Sequence, residues 1–192
     1  MRVSREQVAI NRQKILGAAS RLFRERGYDA VTVADVMSAA GLTHGGFYGY
    51  FKSKDELIAQ TLEHLIGQGD TGETNLARYA ARYLSSEHRD NIADGCPTAA
   101  LGAETVRQTP DARAAMAAGL KKQIERLSAR GASEAGAYDA AQARRAAIGG
   151  WSAMVGAVIL ARLVDDPALS DEVLKETLAW IEHQDADTSA SH

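Results

Sequence analysis

Residues 32–54 are the stretch that most constrains how this chain can fold. They contain two short helical patterns separated by Ala40-Gly41-Leu42, and an aromatic cluster with two lysines follows. A short helix, a tight glycine turn and a second short helix form a helix-turn-helix, whose second helix can enter the DNA major groove. This segment therefore favours a helical protein that binds DNA.

The composition also favours helices. Alanine is abundant, only three prolines occur in 192 residues, and 45% of the residues are hydrophobic, which is enough for a packed core. No stretch has the β-branched alternation of a strand. We predict an all-α protein of about nine helices. An N-terminal three-helix helix-turn-helix domain would occupy residues 1–52, a helical body residues 53–184 and a flexible tail residues 185–192.

Capping residues predict where the helices begin and end. Apolar spacing predicts a helix over residues 5–26, ended by Gly27, and a single helix over residues 73–88. Hydroxyl residues that precede apolar runs are expected to be the N-caps of four further helices: Thr32, Thr43, Ser53 and Ser170.

The net charge of −3 is unevenly distributed along the chain. Residues 1–56 carry nine basic and six acidic side chains, a balance of +3, and the remainder has a balance of −6. A basic head on an acidic body suits a protein that meets phosphate with one end only.

The remaining composition excludes several classes of site. A single cysteine, Cys96, excludes an intramolecular disulfide and a cysteine metal cluster, and it fits a reducing compartment. The five histidines lack metal-ligand spacing. The N-terminus has no apolar signal, and the longest apolar run, Trp151–Ala161, is too short to span a bilayer. We expect a cytoplasmic protein without metal or cofactor, and no membrane partner.

The second helix of the motif carries the candidate DNA-binding residues. Gly45 and Gly46 are poor helix formers, so they need a reason: a close approach of backbone to DNA, or packing against a neighbouring helix. Thr43 and His44 lie at the N-terminal end, where base contacts are expected. Hydroxyls and lysines suit phosphate oxygens. The remaining candidates of this kind are Tyr48, Tyr50, Lys52 and Lys54, whereas Phe47 and Phe51 are expected in the core.

The same segment resembles the helix-turn-helix of the TetR family of transcriptional repressors, with supporting similarity over residues 8–62. One departure is Tyr50, where the family often has histidine. The pattern that carries the resemblance is Thr32, Ala34, Val36, Ala39-Ala40-Gly41-Leu42-Thr43, Gly45, Phe47-Tyr48, Tyr50-Phe51, Lys54-Asp55 and Leu57.

The resemblance implies a function and a set of contacts. The protein would be a homodimeric repressor and not an enzyme. It would bind a double-stranded palindromic operator and be released by a small apolar or amphipathic effector. By analogy Thr32, Tyr48 and Lys54 would hold phosphate. The residues facing the major groove would be Thr43, His44 and Gly46.

The resemblance also assigns two roles to the body, namely effector binding and dimerisation. The last two long helices would pair with those of a second subunit, and core packing within one subunit is the alternative. The first of these helices would contribute Ile148, Met154, Val155, Val158, Ile159 and Leu163, and the second would contribute Leu174, Leu178 and Ile181. Apolar and aromatic residues with a few polar groups suit an effector pocket. The candidates are Tyr79, Tyr83, Cys96, Met116, Leu120, Gln123, Trp151 and Met154.

Cys96 permits a second mode of regulation. It precedes a predicted helix N-terminus at Pro97, a position that favours thiolate, so it is a candidate sensor of oxidants or electrophiles. A small buried hydrophobic role is the alternative. A third hypothesis is a DNA-binding regulator without a small-molecule effector. A small helical enzyme is not favoured, because no catalytic constellation stands out.

Overall fold

A computed structural model describes residues 4–68, 76–134 and 140–190 of the chain, and in these ranges it contains helices and no strand. This confirms the all-helical prediction. A 3-10 helix spans His44–Gly49. The α-helices are α1 (Arg5–Arg26), α2 (Val33–Ala39), α3 (Lys54–Gln68), α4 (Leu76–Tyr83), α5 (Ser86–Asp90), α6 (Pro97–Thr105), α7 (Pro110–Glu134), α8 (Ala140–Leu163) and α9 (Pro167–Ala190).

The chain divides into two compact units, each made of two segments. Unit 1 comprises Met1–Gly69 and Ile92–Gly119, and unit 2 comprises Asp70–Asn91 and Leu120–His192. Helix α7 therefore begins in unit 1 and ends in unit 2. The helix-turn-helix belongs to unit 1, and so does the separate segment Ile92–Gly119, which contains α6 and the start of α7.

The core of unit 1 joins the helix-turn-helix to that second segment. Phe23, Met37 and Phe47 are fully buried in one hydrophobic cluster, which also includes Leu101 of α6 and Ala112 of α7. Burial of such side chains stabilises a fold by about 1.5–3 kcal/mol each relative to exposure. Helices α6 and α7 thus complete the core on which α1, α2 and the 3-10 helix rest.

Polar contacts hold the C-terminal end of α6 against the end of α1. Gly27 ends α1 with φ +79°, and the next backbone N–H, that of Tyr28, donates to a Glu104 carboxylate oxygen at 2.8 Å. The buried Tyr28 hydroxyl lies 3.0 Å from the Thr105 hydroxyl, and burial raises the pKa of Tyr28 to about 12. The predicted glycine cap is confirmed, and it is also a contact point for α6.

A second set of contacts lies at the N-terminal end of α6. Arg24 of α1 donates to the Gly95 carbonyl at 3.1 Å, and Arg21 pairs with the Asp94 carboxylate. Burial lowers the pKa of Arg24, whose side chain is 8% exposed. The C-terminal part of α1 and the residue that follows its cap therefore contact the segments at both ends of α6.

Unit 2 is organised by α8 and α9, which pack against each other, and by two arginines. Arg162 donates to the carbonyls of His88 and Arg89 at 3.0 and 2.8 Å. Arg89 in turn pairs with Asp171 at 2.6 Å and donates to Ser170 at 2.9 Å. These bonds connect α5 to the helices that follow it much later in the chain.

Two helix predictions for the body were wrong. The region 73–88 is not one helix, because Ser85 accepts from the His88 N–H at 3.1 Å and starts α5 after a break. Ser170 is not an N-cap, because α9 already begins at Pro167 and Asp166 accepts from the Ala168 N–H at 2.9 Å. Ser170 is buried and donates to the Ala161 carbonyl at 2.6 Å. The backbone of residues 185–190, assigned from the sequence to the tail, belongs to α9.

The apolar residues of α8 lie on two different faces. Met154 and Val158, predicted for the dimer interface, are buried within the chain. Ile148, Ile159 and Leu163 are exposed, by 42%, 36% and 70%. The whole helix Ala140–Leu163 is long and apolar enough to cross a membrane, by length and composition only. The run Trp151–Ala161, considered from the sequence, is the shorter apolar part of this helix. An apolar helix with one buried face and one exposed face also suits association with another protein surface.

Candidate nucleic-acid interface

The 3-10 helix at His44–Gly49 is fixed by aromatic packing beneath it. Phe47 and Phe51 are buried, as predicted, and their rings stack with centroids 5.7 Å apart. Because these side chains point into the core, the opposite face is open to solvent. His44 and Gly45 are exposed, and Tyr48 is 74% exposed.

A capping box begins helix α2, the helix that precedes the glycine turn. The Thr32 hydroxyl accepts from the Asp35 N–H at 3.1 Å, and both the hydroxyl and the N–H of Thr32 donate to the Asp35 carboxylate. These hydrogen bonds, first that of the side chain and then that of the backbone, lower the pKa of Asp35. The capping prediction is confirmed. The hydroxyl proton of Thr32 is donated to Asp35 in this arrangement, and its contact with phosphate stays a prediction.

The glycine turn agrees with the sequence prediction, whereas the 3-10 helix departs from it in two ways. Gly41 adopts φ +71°, the left-handed conformation that the turn requires. Thr43 occupies the predicted N-cap position, but its side chain makes no capping hydrogen bond. The helix is of the tighter 3-10 type rather than α, and the Gly46 N–H donates to the Thr43 carbonyl at 3.0 Å.

The two glycines of this helix are not required by packing. A Cβ atom added at Gly45 would meet no atom of the described residues within 4 Å. One added at Gly46 would lie 3.7 Å from Met37 and 3.8 Å from Thr43, at ordinary van der Waals distance. Neither glycine has a positive φ. These contacts therefore argue against packing with a neighbouring helix as the reason for the glycines, and they favour the other explanation, close approach of DNA.

The segment after the 3-10 helix carries the remaining candidates. Tyr50 is half-buried, Lys52 is exposed and Lys54 is the first residue of α3. Within the described residues neither lysine ammonium group pairs with a carboxylate, although the Lys52 backbone N–H donates to the Glu56 carboxylate. Ser53 accepts from the Glu56 N–H at 3.1 Å, which confirms its cap. Two lysines, one exposed and one half-buried, thus flank the capped start of α3.

Sequence reasoning missed the side chains of α1 that support this segment. The Asn11 amide donates to the Tyr50 hydroxyl oxygen at 2.9 Å, and the Arg12 guanidinium lies 5.4 Å from the centroid of the Phe51 ring. Arg12 also donates to Gln60, whose amide donates to Glu56 at 2.9 Å. The only signal in the sequence was the polar i, i+4 spacing of Gln7 and Asn11 on α1.

The candidate effector residues fall into two groups. Tyr79 and Tyr83 stack at 6.1 Å, the Trp151 ring meets Tyr83 edge-on at 5.1 Å, and the Gln123 amide donates to the Tyr79 hydroxyl at 2.8 Å. His88, which the sequence did not suggest, lies 4.4 Å from Tyr83. We call Tyr79, Tyr83, His88 and Trp151 the aromatic cluster of unit 2.

The other four candidates are placed differently. Met154 is buried on α8 and Leu120 is 39% exposed, both in unit 2. Cys96 and Met116 belong to unit 1, where the Thr98 hydroxyl lies 3.9 Å from the Met116 sulfur. Cys96 is half-buried at the N-cap of α6 and makes no side-chain capping bond. The residues that could hold a metal ion form no cluster in the described ranges.

Curated relatives match less than half of the chain. The regulator AcrR of Shigella flexneri is 32% identical over 82 residues, which is 43% of this chain and 37% of AcrR. The repressor KstR2 of Mycolicibacterium smegmatis is 32% identical over 95 residues, 43% of this chain and 46% of KstR2. The chain thus spans less than half the length of these relatives.

Solved structures resemble the whole fold. The reduced form of E. coli NemR has a TM-score of 0.72 at 23% identity, covering 90% of this chain and 96% of NemR. A TetR-family regulator from Agrobacterium tumefaciens has a TM-score of 0.68 at 19% identity, covering 90% and 97%. This likeness concerns the fold alone.

Two family models together match most of the chain. The model of bacterial regulatory proteins of the TetR family matches residues 15–61, which contain the helix-turn-helix. The model of the tetracyclin repressor-like C-terminal domain matches residues 72–177, more than half of the sequence. Proteins of this family are DNA-binding transcriptional regulators and not enzymes. The chain therefore belongs to the TetR family of bacterial transcriptional regulators.

Proposed function

We propose that this protein is a transcriptional repressor that binds a palindromic operator as a homodimer and leaves it when a small effector binds. The observation that carries the DNA-binding part is the face of the 3-10 helix. His44, Gly45 and Tyr48 are exposed there, and no packing within the described residues requires a glycine at position 45. An exposed helix face that contains glycines, with hydrogen-bond donor side chains beside it, suits close approach of DNA.

Two kinds of contact are expected at this face. Thr43, His44 and Gly46 would face base edges in the major groove, with Gly45 allowing close approach. Hydroxyl and ammonium groups would hold phosphate oxygens. These groups belong to Thr32, Tyr48, Tyr50, Lys52 and Lys54. Because phosphate contacts release counterions, binding should weaken steeply with salt.

Dimerisation is supported by the exposed apolar face of unit 2. Ile148, Ile159 and Leu163 recur at helical spacing on α8, and Trp180 of α9 is 51% exposed. Exposed apolar side chains on neighbouring helices often mark a surface that a partner covers. A second copy of the chain is the occupant we propose, since an isologous pairing would present two heads to a palindrome.

Selection of bound sequences from a random DNA duplex pool tests this function. The wild-type protein should enrich a palindromic motif, and Tyr48→Phe should weaken its binding. His44→Ala should alter the selected bases. Absence of enrichment at low salt would refute the DNA-binding proposal. Sedimentation of the free protein tests the dimer, and Leu163→Glu should shift it to a monomer.

The effector site is proposed at the aromatic cluster of unit 2. The Trp151 indole N–H is buried and has no hydrogen-bond partner among the described residues, and Gln123 holds the Tyr79 hydroxyl. A small amphipathic molecule with an acceptor group would satisfy that donor. Release of operator DNA during a screen of small molecules, abolished by Trp151→Phe, is the expected result. Failure of every compound would favour a regulator without a small-molecule effector.

Sensing through Cys96 is a second candidate mode of regulation. Cys96 is half-buried and is the N-cap residue of α6. A hydroperoxide would form an S–O bond at the Cys96 sulfur, with cleavage of its own O–O bond and release of water or alcohol. Peroxide or an alkylating agent should then release the operator in the wild type and not in Cys96→Ala. Unchanged operator affinity after complete modification would remove this candidate.

A further inference from the structure

A chain of side-chain amides on α1 reaches the exit of the 3-10 helix. The Gln7 amide donates to the Asn11 side-chain oxygen at 2.9 Å, and the Asn11 amide donates to the Tyr50 hydroxyl oxygen at 2.9 Å. The second bond joins residues 39 positions apart. A turn of α1 is thereby connected to the residue that immediately follows the 3-10 helix.

The donor and acceptor roles in these two hydrogen bonds determine whether the Tyr50 hydroxyl can still donate its proton. The Asn11 oxygen is occupied by Gln7, so Asn11 presents its NH₂ group, which only donates, to Tyr50. The Tyr50 oxygen is then an acceptor in this bond, and its own proton is left for another group. No acceptor for that proton lies among the described residues.

The surroundings of Tyr50 suggest which group takes the proton. Its ring packs against the core of unit 1, so the hydroxyl cannot move far. Tyr48 and Lys52, both exposed, lie on either side of it in the sequence. Phosphate oxygens are strong acceptors and are the commonest targets of such hydroxyl donors.

We propose that Asn11, oriented by Gln7, is a positioning residue for operator binding, because it directs the Tyr50 hydroxyl proton toward a DNA phosphate. The inference rests on the proposed DNA-binding function. Asn11 itself makes no contact with DNA in this account. The neighbouring Arg12, which lies over the Phe51 ring, holds the next residue of the same segment by a different interaction.

A double-mutant cycle on the selected operator tests this role. Tyr50→Phe removes the donor and should weaken binding on the order of tenfold or more, as for a hydrogen bond to a charged group. Asn11→Ala should weaken it by a smaller factor of about 3 to 10. In the Tyr50→Phe background the same Asn11→Ala change should have almost no further effect, because the hydroxyl is already absent.

A second substitution distinguishes positioning from simple support of the fold. Asn11→Asp replaces the donor by a carboxylate that accepts the Tyr50 proton, so binding should fall at least as far as in Tyr50→Phe. Gln13→Ala, on an exposed position of α1, is the matched control and should leave binding unchanged. Thermal unfolding midpoints of Asn11→Ala and Gln13→Ala should agree within a few degrees.

The outcomes separate this inference from the function on which it rests. A wild-type protein that selects no operator overturns the proposed function and this inference with it. An operator bound equally well by Tyr50→Phe and wild type overturns the inference alone. The inference is also overturned if Asn11→Ala lowers operator affinity equally in the wild type and in Tyr50→Phe, because Asn11 would then act through another group.

Discussion

The helix-turn-helix in unit 1 and the centre of unit 2 are each stabilised by side-chain hydrogen bonds, but the bonds compared here span very different distances in the sequence. The caps of the first, at Thr32–Asp35 and Ser53–Glu56, join residues three positions apart. The bonds of the second, such as Gln123 to Tyr79 and Arg89 to Asp171, span 44 and 82 positions. Substitutions at these bonds should therefore act differently, since each cap stabilises a single helix end and each long-range bond joins separate elements of unit 2.

The largest effect is expected where the local elements rest on the core. Phe47→Ala should lower the free energy of unfolding by about 3–5 kcal/mol, because its fully buried ring leaves a cavity. Tyr48→Ala, next to it and exposed, should lower operator affinity with little change in stability. Urea unfolding of both variants measures this contrast. Equal stabilities would show that the 3-10 helix does not depend on the core beneath it.

A long-range ion pair provides the corresponding test in unit 2. Arg89→Ala should destabilise the protein by about 1–2 kcal/mol, because Asp171 and Ser170 both lose a charged hydrogen-bond partner. Lys175→Ala, which removes an exposed pair with Glu176, should cost less than about 0.5 kcal/mol. Both values come from chemical denaturation. If the control costs as much as Arg89→Ala, the pair to α9 has no special role.

The local capping box should give an intermediate and strictly local effect. Thr32→Ala should cost about 1 kcal/mol of stability, as for other N-cap threonines. Asp35→Asn should cost less in the Thr32→Ala background than in the wild type, because the two side chains bond each other. Additive losses in that cycle would contradict the reciprocal cap.

The smallest effect should appear as a pH dependence. Burial lowers the pKa of His88 in unit 2 and of His64 in unit 1 from the usual 6.5. Each therefore contributes stability above pH 6.5 that is lost as the pH falls through its lowered pKa, since the unfolded state binds the proton first. His88→Gln should flatten the fall in urea midpoint between pH 7.5 and 5 more than His64→Gln. An unchanged slope would contradict the burial argument.

The same difference in range explains which features the sequence could predict. Gly27, Thr32 and Ser53 were recognised as caps because the partner group lies within the same helix end. The buried pair Phe47 and Phe51 followed from helical spacing. Such features depend on residues close in sequence, and the pattern contains both members.

Other features depended on partners that no local pattern contains. Ser170 has the residue type of an N-cap, but it bonds Ala161 and Arg89 inside unit 2. The broken helix at Ser85 places His88 beside Tyr83, and only the assembled unit brings Trp151 to the same ring. The support of Tyr50 by Asn11 was missed for the same reason, since 39 residues separate them.

The contacts of α6 with α1 bear on how the head could be exchanged between relatives. Glu104 binds the backbone beyond Gly27, where an added Cβ would lie 2.6 Å from its carboxylate, and Leu101 fills the core of the head. A chimera joined just after α3 would give the transplanted head a foreign α6. Such a hybrid should retain its operator preference only if residues 92–119 are moved with the head, as a graft made of two separate pieces of chain.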